Sequence, residues 1–455
     1  MHRILAAIMA FACLVSLTAC SGTESDAETT VATTTTTADP IYTTAGTSGV
    51  LSDRKETSTA AQDSPMEITA QMAKVFEHGE VDVEEAEMPE AESASSSGQV
   101  HHTGDGKTIT ISCIGDTMAH DTTFEAAWNG KTYDFDYMME ELAGFVEDSD
   151  FMIANLETTL AGEDRGYTGY PDFNTPEQIA DSLRNVLGVD LCSTANNHSN
   201  DRGYKGICKT LENLDARGIY HVGTNATEED STKPLVVEIE GVKFGFINYT
   251  YGLNNIDGVK YDWSINVINK EKISAMCKAC TEAGAEYIIA LMHWGVEYDR
   301  STSADQRSLA EWIFANTDVR LIIGHHPHVV QPIDEITVER NGQTKKGIVL
   351  YSLGNFTGSM SKEYTDTGLL ATITLNLTAE NENTSAVESI VCRPTYVDST
   401  PAGDHQYRVI SIGKALEDSK TGADKRLSSD DCARISNYME YYQKMLTTLD
   451  CVTVE

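Results

Sequence analysis

The chain has 455 residues, 40% of them hydrophobic, with 33 Lys and Arg against 70 Asp and Glu and a net charge of -37. That is enough apolar sequence for one large or two smaller domains, with non-globular chain left over. The charge argues against nucleic acid or an anionic lipid surface as a partner held by broad electrostatics, although a local metal could still hold an anion.

In chain order, His2 and Arg3 precede an apolar run from Ile4 to Leu17, followed by Leu17-Thr18-Ala19-Cys20. The run is short for a spanning helix, which needs about 20 residues. A basic start, an apolar middle and small residues before a cysteine resemble a bacterial lipoprotein signal over residues 1–20, with Cys20 lipidated. The alternative is an ordinary cleaved signal in which Cys20 is incidental. Either way the mature chain is expected outside the cytoplasm, and with lipidation on the extracellular face of the cytoplasmic membrane. Residues 21–106 are rich in Thr, Ser, Ala and acid, including Thr33 to Thr37 and the acidic stretch Glu80 to Glu92. Such composition cannot bury enough apolar surface to offset ordering, so a disordered tether is expected. As a flexible coil it would reach roughly 50 Å.

From Lys107 onward, short β-branched runs alternate with helical patterns, the signature of an α/β core. Strands are predicted over Thr108–Ile114, Phe151–Asn155, Leu191–Thr194, Lys243–Tyr249, Tyr287–Met292, Leu321–Gly324 and Gly347–Ser352. Nearly all of them stop at polar clusters: Gly115-Asp116, Asn155-Leu156-Glu157, Asn196-Asn197-His198, His293-Trp294-Gly295, Gly324-His325-His326-Pro327-His328 and Gly354-Asn355. In open α/β sheets ligands gather at the carboxyl ends of strands, so these tips are expected to converge on one cleft. Carboxylates, an amide oxygen and imidazoles with no thiolate suit one or two divalent ions, Mn, Fe or Zn rather than Ca. Taken singly, each tip has a plainer reading: a turn at Gly115-Asp116, a helix cap around Asn197 to Asp201, a core histidine at His293.

The ten cysteines are sparse and irregular. Cys277-x-x-Cys280 falls in a helix-like run from Ile273 to Ala283, where two half-buried helix cysteines or a local disulfide fit better than a redox motif. Beyond Met360, Gly368–Leu377 and Ala386–Arg393 alternate as paired strands, and Ser429–Leu449 reads as an amphipathic helix with Ile435, Met439, Tyr442 and Met445 on one side. Residues 361–455 are therefore expected as a small C-terminal α+β extension packed on or beside a core spanning 107–360.

The segments Gly115-Asp116-Thr117-Met118, Asn155-Leu156-Glu157, Ala195 to Gly203, His293 to Tyr298, Gly324 to Gln331 and Tyr351 to Phe356 together resemble the CapA family of capsule-synthesis proteins, in that family's order over roughly residues 108 to 360. The resemblance implies a calcineurin-type metallophosphatase domain, a four-layer αββα sandwich. It further implies that Asp116, Glu157, Asn197, His293, His326 and His328 line a dimetal-type cleft, with Glu157 in the bridging position and His198 as the acid for a leaving group. Asp201 and Glu297 are candidates to orient ligand imidazoles. Two departures accompany it: where metallophosphatases carry Asp-x-His, Asp116 is followed by Met118, with His120 the nearest imidazole, and the bridging residue is Glu rather than Asp.

The implied function is poly-γ-glutamate capsule synthesis or export at the cell surface. Its substrate would be an anionic polymer or a phosphorylated compound, and its partners membrane-bound synthase or exporter subunits. Two alternatives stay open, a non-catalytic accessory protein of such a synthase and an extracellular metallophosphoesterase. The chain has no phosphate-binding Gly-x-x-x-x-Gly-Lys-Ser/Thr motif, so it is not expected to activate glutamate with ATP.

Overall fold

The computed structural model describes residues 107–378, 383–402 and 405–455. The signal, Cys20 and the acidic tether lie outside the described residues. Among the described residues, no helix is long and apolar enough to cross a membrane.

Four strands, β1 (Lys107–Thr117), β2 (Phe151–Leu156), β3 (Leu191–Ser193) and β4 (Tyr220–Val222), run parallel in one sheet. The second sheet is built around β6 (Val242–Thr250), β7 (Tyr287–His293), β8 (Val319–His325) and β10 (Gln343–Leu350), also parallel. Its edges are the antiparallel strands β5 (Leu235–Ile239) and β9 (Ile333–Arg340). Alternate residues of each strand divide between two apolar layers, as the two-residue period of a strand requires. Ile109, Ile111, Ile153, Phe246, Ile289, Leu291 and Ile323 meet between the sheets.

On the outer face of the first sheet, Ile114, Met152 and Ala154 receive α1 (Asp121–Ala127), α2 (Asp136–Met139) and α3 (Gln178–Leu187). The helix α4 (Gly203–Asp215) follows β3 and packs with Ala195 and Leu253. The outer face of the second sheet carries α5 (Lys270–Glu282) and α6 (Ala304–Asn316), through Ile273, Cys277, Ile313 and Phe314. Helices, sheet, sheet and helices thus stack in the order expected for a four-layer αββα sandwich. Cys277 and Cys280 are both buried on α5 and unbridged.

The C-terminal segment, expected as an α+β extension packed on or beside the core, also enters the first sheet itself. Strand β11 (Thr367–Leu377) pairs antiparallel along β1, from Lys107↔Leu377 to Cys113↔Ala371, and β12 (Val387–Asp398), β13 (Arg408–Ser411) and β14 (Val452–Val454) continue the same sheet. The sheet order is β13-β12-β11-β1-β2-β3-β4, so β1 is an interior strand only because of residues beyond 360. The helices α7 (Ile412–Thr421) and α8 (Ser429–Leu446) join the inter-sheet core through Ile412, Ile435, Tyr442 and Leu446. Ser428 and Asp431 close the start of α8 with a reciprocal capping box.

The two sheets are tied together where the site lies. Asp116 N–H donates to Gly354 O (2.8 Å), and Phe356 N–H donates back to Asp116 O (2.8 Å). Gly115 permits this approach: a Cβ there would fall 2.0 Å from Gly354 O, so only glycine fits.

Candidate metal centre

The carboxyl ends of both parallel strand sets point the same way, and the strand-tip residues meet between them. Asp116 ends β1, Glu157 follows β2, Asn197 and His198 follow β3, His293 ends β7, and His326 and His328 follow β8. Asp116, Glu157 and His293 are wholly buried, and Asn197, His198, His326 and His328 nearly so.

Three donor groups have ligand atoms lying within 4.8 Å of one another: Glu157 with His293 and His326; Asp116 with Glu157 and His328; and Glu297 with His326 and His328. Glu157 belongs to the first two. One of its oxygens lies 3.5 Å from His293 Nε2 and 3.7 Å from His328 Nε2, yet neither oxygen accepts a hydrogen bond. Buried carboxylate oxygens without donors are costly, and so is the unpartnered His326 Nδ1. A set of carboxylates, imidazoles and an amide oxygen without thiolate suits a divalent cation, which would satisfy those atoms together.

Positioning is done by amides. Asn155 Nδ2 donates to Asp116 Oδ1 (2.8 Å) and lies 3.4 Å from His293 Nδ1, while its own oxygen accepts from Ser193 Oγ (2.8 Å). His293 Nε2 lies 2.7 Å from Asn197 Oδ1. Asn355, readable in the sequence as a simple turn residue, places Oδ1 2.9 Å from His328 Nδ1. His325 is the imidazole that sequence reasoning did not single out, although it stands inside the quoted motif. Its Nδ1 is 3.4 Å from Asp116 Oδ1, and neither ring nitrogen makes a hydrogen bond.

The backbone is strained here: His326 has φ +100° and His328 +59°, conformations that non-glycine residues rarely hold. The bend turns three successive imidazoles of one loop to different positions around Asp116. His326 also donates its N–H to Asp116 Oδ2 (3.2 Å) and lies against the Tyr251 ring, 4.4 Å between centres.

Asp201 does not orient a ligand imidazole. Its Oδ2 takes His198 Nδ1–H at 2.7 Å and also accepts from Phe173 N–H (2.7 Å), while Asn254 Nδ2 lies 3.3 Å from His198 Nε2. Asp201 thus fixes the tautomer of the histidine read as the proton donor. Nor do Ser199 or Asp201 cap α4, whose N-cap is Arg202 without a side-chain bond. Glu297 is exposed and stands as a possible donor beside His326 and His328 rather than as a bracket for either ring. Met118 is buried, with its backbone N–H and C=O both bonded to Thr357 Oγ1, and the ring of His120 rests edge-on to Phe173. Trp294 belongs to the core, donating to Tyr351 O, whereas Tyr298 stands outside His328.

The charges divide unevenly. Burial alone would raise the Asp116 carboxyl, but the imidazoles of His325 and His328, each with Nδ1 3.4 Å from a carboxylate oxygen, hold it well below the usual range. Burial raises Glu157 well above its ordinary value, and the charges of Asp116 and Glu297 add to this. Burial lowers His293 well below normal, with His326 adding to it, and burial with His328 takes His326 down to about 3. His328 moves the other way: burial is outweighed by the hydrogen bond and charge of Asp116.

These shifts fix a sign for acid sensitivity in metal-free protein. His326 stays neutral in the fold to about pH 3, whereas an unfolded histidine protonates near 6.5. Its contribution is therefore complete above about pH 6.5 and is lost as pH falls toward 3. Glu157 and His328, with raised values, lose theirs as pH rises, so the comparison is made against a variant. Chelator-treated wild type is expected to lose about 5 °C of melting temperature relative to His326→Gln between pH 7 and pH 4. Parallel curves would show that His326 is not held neutral.

The bacterial capsule synthesis protein PGA_cap family model matches residues 110–359, more than half of the chain. The capsule biosynthesis protein CapA of Bacillus anthracis is 26% identical over 257 residues, 54% of this chain and 59% of that protein. The PGA biosynthesis protein CapA of Bacillus subtilis is 29% identical over 176 residues, 37% and 43% of the two chains. A probable polyglutamine synthesis accessory protein of Mycobacterium tuberculosis is 25% identical over 207 residues, 41% and 52%. The matches thus span about half the length of these relatives.

Among solved structures, the Haemophilus influenzae NAD nucleotidase aligns with a TM-score of 0.42 at 10% identity, covering 77% of this chain and 64% of that one. A calcineurin-like phosphoesterase of Bacillus subtilis aligns at 0.35 and 15%, covering 75% and 98%. At such scores the layer order is read from the chain itself. The extent of the family match decides the identity: the chain belongs to the bacterial capsule synthesis protein PGA_cap family.

Proposed function

We propose that this chain is a surface-tethered metalloprotein of capsule synthesis that acts on poly-γ-glutamate as the polymer is made or exported, cleaving or transferring it at the strand-tip cleft. The observation that carries the reading is Glu157, wholly buried, shared by two donor groups and with neither oxygen hydrogen-bonded. Asp116, Glu157, Asn197, His293, His326 and His328 would hold one or two ions of Mn, Fe or Zn. When bound, such ions supply the Lewis acidity that polarises an electrophilic oxygen and acidifies water.

The chain's own residues do the rest. Asn155 and Asn355 hold His293 and His328 in place. His198, oriented by Asp201, delivers a proton to the leaving amine nitrogen, a task imidazole suits near neutral pH. Tyr251 closes one side of His326 against water. Cys20 anchors the chain at the outer face of the cytoplasmic membrane, and the acidic tether lets the folded part reach a membrane-bound synthase or exporter.

The test is elemental analysis of purified protein after incubation with Mn, Fe or Zn, together with counting of new polymer ends released from poly-γ-glutamate. About two ions per chain with turnover is the expected result. Folded protein that takes up no metal defeats the proposal and leaves the accessory role. Metal with turnover only on phosphate esters would make it a phosphoesterase instead.

A further inference from the structure

Two loops meet outside the histidines. One, 296–300, follows β7; the other, 359–366, joins β10 to β11 and lies almost wholly beyond the family-matched residues. Lys362 Nζ sits 3.3 Å from the centre of the Tyr298 ring, whose own centre is 6.0 Å from that of His328. In the opposite direction, the Arg300 guanidinium lies 4.1 Å from the centre of the Tyr364 ring and 4.8 Å from that of Tyr441 on α8. Each loop therefore lends a cation to a tyrosine of the other.

Both tyrosines hold φ of +67°, a left-handed conformation that bulky side chains rarely adopt. Strain of this kind persists only where the surroundings enforce it, and it concentrates at ligand sites. Glu297, Asp299 and Glu363 are exposed nearby in sequence, yet among the described residues neither Lys362 nor Arg300 has a carboxylate within ion-pairing distance. A tyrosine face fixes a cation in position without neutralising it. Lys362 is exposed, so its charge stays available to an incoming anion, while half-buried Arg300 braces the loop.

We propose that the interlaced pairs Lys362–Tyr298 and Arg300–Tyr364 form the lip that seats a pendant α-carboxylate of a poly-γ-glutamate chain beside the histidines, with α8 bracing it through Tyr441. The proposal rests on the reading of the chain as a polyglutamate-handling protein and adds the element that recognises the polymer. It also answers a difficulty of charge. A chain carrying -37 repels a polyanion at long range. Attraction must then be local, acting within about a Debye length of 8 to 10 Å. Lys362 and Tyr364 lie beyond the family-matched residues, whereas Tyr298 and Arg300 lie within them.

The test measures binding of a γ-linked glutamate oligomer, by calorimetry, to the full metal-loaded chain and to Lys362→Gln, Lys362→Glu and Arg300→Gln. Lys362→Glu is expected to weaken binding about tenfold, with Lys362→Gln intermediate and metal content unchanged in both. Since Lys362 is exposed, its variants should fold, and melting curves check Arg300→Gln. Unchanged affinity in Lys362→Glu overturns the proposal, as does wild type that binds polyphosphate but no glutamate oligomer. Wild type that binds no metal but still binds the oligomer through Lys362 would defeat the metal reading alone and uphold the lip.

Discussion

Glu157→Gln protein incubated with Mn, Fe or Zn is expected to retain less than half the metal of wild type, with affinity reduced more than about 100-fold. The amide keeps the size and shape of the side chain but removes the negative charge shared by two donor groups. The fold should survive. In metal-free protein, burial and the charges of Asp116 and Glu297 already disfavour the charged form of Glu157, so an uncharged amide of the same shape should be tolerated. The two measurements, elemental analysis and thermal melting, separate loss of the centre from loss of the protein. Metal content equal to wild type would show that the ion lies elsewhere, or that Asp116 with the histidines suffices.

The second large effect is expected at His198. His198→Gln should keep its metal, because His198 belongs to none of the three donor groups, yet polymer turnover should fall about 10²- to 10⁴-fold, the usual value of a positioned general acid or base. Asp201→Asn separates proton transfer from mere packing. Its amide can still meet Phe173 N–H but no longer offers a charge to His198 Nδ1–H. Turnover should fall in that variant as well, with metal content unchanged, because the ring is no longer held in one tautomer. Full turnover in both variants would remove His198 from the chemistry.

Much of this architecture was legible because parallel strands buried on both faces read as apolar runs closed by polar residues. Every residue of β2 and β7 is buried. The strands nevertheless run longer than their apolar cores. His293 and His325 still pair across β7 and β8, and Asp116 pairs with Asn155 after a shift in register beyond Ile114, because a residue at a strand tip can remain part of the ladder. What was not legible has physical causes. Strand β9 sits at the sheet edge with alternate residues exposed, so its apolar content is diluted by Glu335, Glu339 and Arg340. The pairing of β11 with β1 joins residues far apart in sequence, and alternation gives a strand its faces but not its neighbour. The part played by Asn355 depends on the same crossing. Its side chain reads as a turn residue until the chain passes from β10 to β11 beside Asp116. The bend of the loop after His325 is made by left-handed backbone at His326, which residue types do not announce.

The crossing from β10 to β11 also orders events during maturation. Every proposed ligand lies before residue 329, but the strand that makes β1 interior and the backbone that grips Asp116 come from residues 354–377. A chain emerging with its amino end first would expose all the donors long before β11 arrives, and such distant contacts form late in folding. Asp116 and Glu157 would then be loose groups with weak, unselective affinity for ions. Tight capture would wait for the completed sheet, so the ion bound would be set by the metals present when folding ends rather than by those met as the donors first emerge.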